Sequence, residues 1–301
     1  MKILLTGATG FLGSHLLKTI LTNSNDEVCI VKRSFSNTNR IEEELKNDRV
    51  SFFDIDTHEF KDIFNGNKFD SIIHTATEYG RGGGSIHKIL EANIIFPIAL
   101  IELAIKHNVK TFINTDSYFN KEEGNYSNLL NYSLSKRSLL VWLKKLSNKI
   151  QIINVSLEHM YGPHDNQSKF VEMLFQEIAL NKTDRIKLSY GHQKRDFIFI
   201  DDVTSAYLTL IKYGNDYNFS YKKFEIGSGE SIEVRQLALM IKELSNSPSV
   251  LGFGDIEYRP DEIMFSAANI KPIKELGWDC TISLRDGVKN ILQLYQSGDN
   301  Q

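Results

Sequence analysis

Short apolar runs alternate with longer stretches of helical period through the first half of this chain. Lys2–Thr6, Glu27–Val31, Val50–Ile55, Ser71–Thr75, Lys110–Asn114 and Ile150–Leu157 read as strands, short runs rich in apolar residues of the kind a covered parallel sheet needs. Between them, apolar residues recur every three or four positions over His15–Leu21, Ile86–His107 and Tyr132–Ser147, which predicts helices with one buried face. Strand and helix in alternation predict an α/β protein. In the second half the order is irregular and without repeat, and it closes on a helical stretch over Leu284–Tyr295. The expectation is a core over residues 1–160, rejoined by the chain at 190–215, with most of 161–301 forming a smaller α/β lobe and frayed residues at the very end.

Composition narrows the classes of function. A hydrophobic fraction of 41% beside 24% charged residues is that of a globular protein with a sizeable core. The net charge of −3 gives no drive toward nucleic acid or an anionic membrane, so an anionic ligand needs local basic residues. The apolar start Met1–Leu5 breaks at once into Thr6-Gly7, too short for a secretory signal, and no run reaches membrane-spanning length. A cytoplasmic protein is expected. Cys29 and Cys280 stand far apart with no metal-binding spacing, and they read as inert thiols.

The first strand leads into Gly7-Ala8-Thr9-Gly10-Phe11-Leu12-Gly13 and then into helical period. Strand, glycine turn and helix are the context of a dinucleotide-binding loop. Gly7 permits the turn, Gly10 lets backbone approach a pyrophosphate, Gly13 allows helix to close on strand, and the helix N-terminus attracts the phosphates. At the end of the second strand, where NAD enzymes place a carboxylate, stand Lys32-Arg33-Ser34. A cationic pair there attracts a 2′-phosphate and favours NADPH over NADH. Asp54, beside Ile55, suits an adenine amino group. Ala76 and Thr77 are small enough to let their loop run close to a cofactor. His74 reads as a satisfied core histidine. Arg81-Gly82-Gly83-Gly84-Ser85 reads as a loop bordering a substrate mouth. Asn93 is a polar residue on the otherwise apolar face of the 86–107 helix.

Thr115-Asp116-Ser117 follows the fifth strand, at the end of a parallel sheet where ligands bind. Tyr132 and Lys136 stand four apart, on one face of the next helix. An ammonium near a phenol lowers its pKa and makes it a proton donor or acceptor for an alcohol or ketone. Arg195 and Arg259 are each open to two readings, a diphosphate ligand or a structural ion pair.

Together and in order, Thr6-Gly7-x-x-Gly10-x-x-Gly13, Thr115, Tyr132-x-x-x-Lys136, Tyr161-Gly162-Pro163, Arg195-Asp196-Phe197 and Asp201-Asp202-Val203 resemble an extended short-chain dehydrogenase/reductase of the nucleotide-sugar epimerase/dehydratase group, over almost the full length. Within the group the chain is similar to reductases of nucleotide-linked 4-keto-3,6-dideoxy sugars for surface polysaccharides. That likeness rests on residues 76–80, 114–117, 157–163, 169–170, 195–203 and 262–266, and on the short link of 17 positions from Thr115 to Tyr132. The resemblance implies a Rossmann-type doubly wound parallel sheet with NADPH on its glycine turn. The cofactor would lie along Gly7, Thr9, Gly10, Phe11, Leu12 and Gly13, with Lys32, Arg33 and Ser34 at its 2′-phosphate. Asp54, Ile55, Thr75, Ala76, Thr77 and Asn93, then Leu157 and His159, would complete its contacts. Tyr132 would donate a proton to the C4 oxygen, Thr115 would hydrogen-bond that oxygen, and Lys136 would tune the tyrosine and hold the nicotinamide ribose. Glu78, Tyr79, Asp116, Ser117, Glu158, His159, Lys169 and Phe170 would line the sugar site, with Arg195 and Arg259 on the diphosphate. A homodimer through the 86–107 and 132–147 helices is implied too.

Two departures carry information. Sugar 4,6-dehydratases of the group read Thr-Asp-Glu, and here Ser117 replaces the glutamate, removing half of an acid/base pair. Members of the group usually carry an arginine five positions before the Tyr-Gly-Pro tyrosine, where this chain has Ser156. The alternatives are an NAD-retaining C4 epimerase, which needs a ribose-binding carboxylate where Lys32 stands, and a non-catalytic NADPH-binding regulator, a type that often lacks the intact Tyr/Lys pair. The nucleotide base, hexose or heptose, and the C4 configuration stay open.

Overall fold

The computed structural model describes residues 1–81, 83–121 and 129–297. Gly82 of the expected 81–85 loop and residues 298–301 of the expected frayed end lie outside the described residues. Seven strands form the main sheet: β1 (Lys2–Thr6), β2 (Glu27–Lys32), β3 (Val50–Asp54), β4 (Ser71–His74), β5 (Thr111–Ser117), β6 (Gln151–Leu157) and β7 (Tyr221–Ile226). Their order is β7-β6-β5-β4-β1-β2-β3. The β1–β2, β2–β3, β1–β4 and β4–β5 ladders are parallel. β6 and β7 run in the same sense, with Ile152 N–H on the Ser220 carbonyl and Glu158 N–H on that of Ile226. This is a Rossmann-type doubly wound α/β sheet.

Strand order reverses at β1. The chain steps outward through β2 and β3, then crosses to β4 and builds the other half. Such a switch point opens a crevice at the carboxyl ends of β1 and β4, where ligands of open α/β sheets sit. All four residues of β4 are buried, as a central strand requires.

Four helices follow the expected pattern with shifted bounds. Helix α1 (Phe11–Asn23) begins inside the glycine turn rather than at His15. The expected 86–107 helix is interrupted: α2 (Ile86–Leu90), a π-helical turn at Glu91–Ile95, then α3 (Phe96–Lys106). Pro97 has no N–H to give the carbonyl of Asn93, and the widened turn absorbs that gap. Helix α4 spans Leu130–Leu146. Leu100, Ile101 and Ala104 of α3 and Leu139 and Leu143 of α4 join Leu4, Ile72, Phe112 and Ile152 in one core cluster. β5 runs on to Ser117, so Thr115, Asp116 and Ser117 are held as strand.

By packing, the chain forms two compact units. The first takes residues 1–156, 204–224 and 275–278, and the second takes 157–203, 225–274 and the C-terminal part from 279. The second unit has short parallel pairs, His159–Tyr161 with Phe197–Phe199 and Arg185–Leu188 with Val250–Phe253. A helix at Val234–Leu244 opens on a capping box between Glu233 and Gln236, a sequence signal that fixes its start. Tyr161 of the Tyr-Gly-Pro motif is 1% exposed and packs edge-on against Phe199. A Cβ on Gly287 would come within 2.1 Å of its hydroxyl, so this tyrosine is a core residue.

Candidate active site

The glycine turn is shaped by close approach. Gly7 has φ +75°, and a Cβ there would come within 2.6 Å of Ala76 N and Thr75 Oγ1. A Cβ on Gly13 would lie 2.1 Å from the Gly7 carbonyl oxygen. Both glycines are therefore required by the fold, at the switch point itself. Gly10 differs: it is exposed, caps α1 in extended conformation without a side-chain cap, and its Cβ would meet only the Gly7 oxygen, at 3.2 Å. The first N–H groups of α1 lie at this turn, at the positive end of the helix dipole. These features fit a dinucleotide pyrophosphate.

At the end of β2 the basic pair is already partnered. Lys32 Nζ donates to Asp54 Oδ2 at 2.9 Å, as does Ser34 Oγ. Arg33 donates through Nε and Nη2 to Asp56 Oδ1 at 3.2 Å, and Asp56 also accepts the Ser34 N–H. Asp54, expected at an adenine, has its carboxylate engaged by Lys32 and Ser34, and this pairing lowers its pKa. Asp56 carries no sequence signal and escaped the sequence reading.

Tyr132 and Lys136 lie where the helical spacing puts them, on α4, and both are 4% exposed. The Tyr132 ring stacks on Tyr79 at 4.8 Å and meets Phe119 edge-on at 6.3 Å. Burial, followed by Tyr79 and Asp116, pushes the phenol pKa well above its ordinary value, against a hydrogen bond from Ser117. The expectation that Lys136 lowers the tyrosine pKa is therefore corrected. The ammonium stands 5.9 Å from the ring centroid and donates instead to the Thr115 carbonyl at 2.9 Å. Burial in turn lowers Lys136 to about 8, with Asp116 pulling the other way. Desolvation is the largest cause of both shifts.

Thr115 is held at both ends: its carbonyl by Lys136 and its Oγ1 by the Tyr207 hydroxyl at 2.7 Å. Asp116, expected along a sugar pocket, is instead spent inside the protein. Its Oδ1 accepts from Ser117 N and Asn120 Nδ2, and its Oδ2 from Asn154 Nδ2, whose own oxygen accepts from Asn114. A carboxylate that is 4% exposed needs such donors in place of water. Asn93 is corrected in the same way. Its Oδ1 accepts from Thr77 Oγ1 and Glu78 N, and its Nδ2 donates to the Glu78 carbonyl and Ser135 Oγ. All its capacity is used, so it clips the 77–78 loop to α4 and leaves nothing for a cofactor. Glu78 caps the loop by accepting the Gly80 N–H. His74 Nδ1 bonds Thr6 Oγ1 at 2.8 Å, Nε2 has no partner, and burial holds its pKa near 3. It is neutral and only half satisfied.

In the second unit the motif residues are also largely spent. Arg195 is not free for a diphosphate: its side chain is 6% exposed and pairs with Glu262 at 2.5 Å, as a buried guanidinium must be paired. Asp196 accepts from Ser228 N and Oγ, Gly229 N and Ala268 N. Asp202 accepts from Thr281 N and Oγ1, Ile282 N and the Cys280 thiol. Glu158 accepts from Ser266 Oγ at 2.8 Å on both oxygens, with His159 Nδ1 3.7 Å away. Burial lowers the His159 pKa. Leu157 is buried at the end of β6. Lys169 pairs with Asp165, Phe170 is 41% exposed at the start of its helix, and Arg259 is exposed.

Sequence reasoning missed Tyr207, Asn154 and Ser135. The one available signal was Tyr207 on the buried face of the Ile200–Asp216 helix, since a buried tyrosine needs a partner for its hydroxyl. Among the described residues no group of His, Cys, Asp and Glu could hold a metal, and no helix is long and apolar enough to cross a membrane.

The chain is 34% identical to the CDP-abequose synthase of Salmonella typhimurium over 97% of both chains. A UDP-glucose 4-epimerase from Thermotoga maritima, solved with UDP-glucose, superposes with a TM-score of 0.83 at 22% identity over 99% of each chain. A UDP-glucuronic acid 4-epimerase from Bacillus cereus, solved with UDP-glucuronic acid and NAD, gives 0.82 at 23% identity over the same shares. At those identities the structures speak for the fold. Residues 3–227 match the model of the NAD dependent epimerase/dehydratase family, and with the first relative this establishes the class: the chain belongs to that family, whose members are enzymes of oxidoreductase type.

Proposed function

We propose that this protein acts on a sugar nucleotide and, more narrowly, reduces the C4 ketone of a nucleotide-linked 4-keto-3,6-dideoxy sugar with NADPH, as a CDP-abequose synthase-like enzyme. One observation carries the reading: Tyr132, buried against Tyr79 and Phe119, stands one helical turn from Lys136, whose ammonium bonds the Thr115 carbonyl. Ketone reduction consumes a proton at oxygen, and a neutral phenol is the form that supplies one. Thr115 offers a second hydroxyl to the same oxygen, where negative charge develops. Lys136 holds the Thr115 backbone and places a cation near both. A nicotinamide cofactor on the glycine turn would supply the hydride. Ser117 in place of an acid argues against dehydration. The 34% identity with a CDP-abequose synthase over nearly the whole chain supports the substrate class.

NADPH is proposed because Lys32 and Arg33 keep donors beyond those given to Asp54 and Asp56, and a 2′-phosphate takes them. The rival is a C4 epimerase retaining NAD, favoured by Asp54, a carboxylate 2.9 Å from Lys32 that offsets its charge. The test is loss of NADPH absorbance with CDP-, GDP- and dTDP-linked 4-keto-6-deoxy sugars, with and without the 3-deoxy group. Turnover of a 3,6-dideoxy substrate with NADPH, and much less with NADH, is expected. No turnover, with NAD⁺ released from the denatured protein, would replace the reading by the epimerase.

A homodimer belongs to the same proposal. Leu134, Val141 and Trp142 of α4 and Ile86, Leu90 and Ile95 of the α2 region are large apolar residues between 42% and 68% exposed. Exposed large apolar residues concentrated on these helices are the mark of an association face. Light scattering at micromolar concentration should give the mass of two chains, and a monomer after Trp142→Glu.

A further inference from the structure

Thr115 is gripped twice, and the second grip carries information about direction. Its Oγ1 lies 2.7 Å from the hydroxyl of Tyr207, a residue of the Ile200–Asp216 helix with no exposed surface. Both residues belong to the first compact unit. Among the described residues Thr115 is the only hydrogen-bond partner of that phenol. Each hydroxyl has one proton and can accept at its oxygen. If Thr115 donated to Tyr207, the phenol proton would be left in the core without an acceptor, a costly arrangement that proteins avoid. If Tyr207 donates to Thr115, its proton is satisfied and the Thr115 proton must turn to another acceptor. Burial raises the Tyr207 pKa, so the phenol retains the proton it donates. The backbone end of Thr115 is fixed independently, by Lys136 on its carbonyl at 2.9 Å.

We propose that Tyr207 is a positioning residue that fixes the Thr115 hydroxyl as a hydrogen-bond donor aimed at the substrate's carbonyl oxygen. The inference rests on the reading of Thr115 as a partner of that oxygen. Thr115 then meets the substrate with its proton already pointed outward and its rotamer set, so no reorientation accompanies the build-up of charge in the transition state. A threonine without this partner would divide its time among rotamers and donate in only some of them.

Tyr207→Phe removes the hydroxyl and keeps the ring. In threonine-methyl-labelled protein, the three-bond couplings of the Thr115 methyl report its χ1 angle without any substrate. The expected result is one rotamer in the wild type and averaging over at least two in Tyr207→Phe. A single unchanged rotamer in both would overturn the proposal, whatever the enzyme's reaction proves to be. With a sugar that turns over, Tyr207→Phe should lower kcat about tenfold with KM and NADPH affinity unchanged, and should cost nothing further in a Thr115→Val background. Equal losses in both backgrounds would mean that Tyr207 acts elsewhere. Absence of turnover with every sugar would count against the reaction, while the rotamer result still decides the role of Tyr207.

Discussion

The 115–136 segment and the 195–202 segment are both dense in motif residues, yet their hydrogen-bonding capacity is used differently. At Tyr132 and Lys136 the groups are buried but few partners claim them: Tyr132 is shifted upward by burial, and Lys136 downward to about 8. At Arg195, Asp196 and Asp202 each charge has partners inside the protein: Glu262 on Arg195, four donors on Asp196, whose pKa burial still raises, and donors of residues 280–282 on Asp202. A buried polar group with capacity left over is unstable in a way that chemistry can use. One with its capacity spent is architecture. Motif letters do not distinguish the two, and partners do.

The comparison is broken most forcefully at Tyr132. Tyr132→Phe should lower kcat by about a thousandfold with cofactor affinity and melting temperature nearly unchanged, and full turnover by the variant would remove the proton donor from the account. In the other segment the large effect should appear in stability. Asp196→Ala strands four donors in a 0% exposed site and should cost about 3 kcal/mol, read as a lower denaturant midpoint. A neutral result would show that the donors find water instead.

Titration sharpens the contrast. Lys136 has a folded pKa of about 8 against 10.5 for the free side chain, so between those values the folded state binds fewer protons than the unfolded one. Stability should rise with pH across that window, and the rise should be smaller in Lys136→Met. His74, near 3 when folded against 6.5 free, predicts the same sign lower down: stability is lost as pH falls below 6.5, and less so in His74→Gln. Equal slopes in variant and wild type would contradict either assignment. The smallest expected effect concerns the cofactor. Asp56→Asn releases an exposed partner of Arg33 and should tighten NADP⁺ binding about two- to fivefold relative to NAD⁺, measured by calorimetry; equal change for both would detach Asp56 from cofactor choice.

The sheet was legible because β1, β2, β4 and β6 are short runs rich in apolar residues, and the glycine turn because Gly7 and Gly13 obey backbone sterics that few other residues satisfy. Tyr132 and Lys136 were legible from helical spacing. What escaped was long-range pairing. Asn93 looked like a cofactor contact until its four bonds to Thr77, Glu78 and Ser135 were seen. Arg195 was open between two readings until Glu262, 67 positions away, was found on it. Tyr207 reaches Thr115 across 92 positions, a distance no local pattern encodes. The break in the 86–107 helix, expected as one continuous helix, falls where Pro97 has no N–H for the Asn93 carbonyl.

The most direct test of the central claim is to follow the hydride. NADPH carrying deuterium at the transferable position would be incubated with the CDP-linked 4-keto-3,6-dideoxy sugar, and the product examined by NMR. The account predicts one deuterium at sugar C4 for each NADP⁺ formed, in a single configuration, and its loss in Tyr132→Phe. Interconversion of C4 epimers with no net consumption of NADPH and no deuterium at C4 would contradict it.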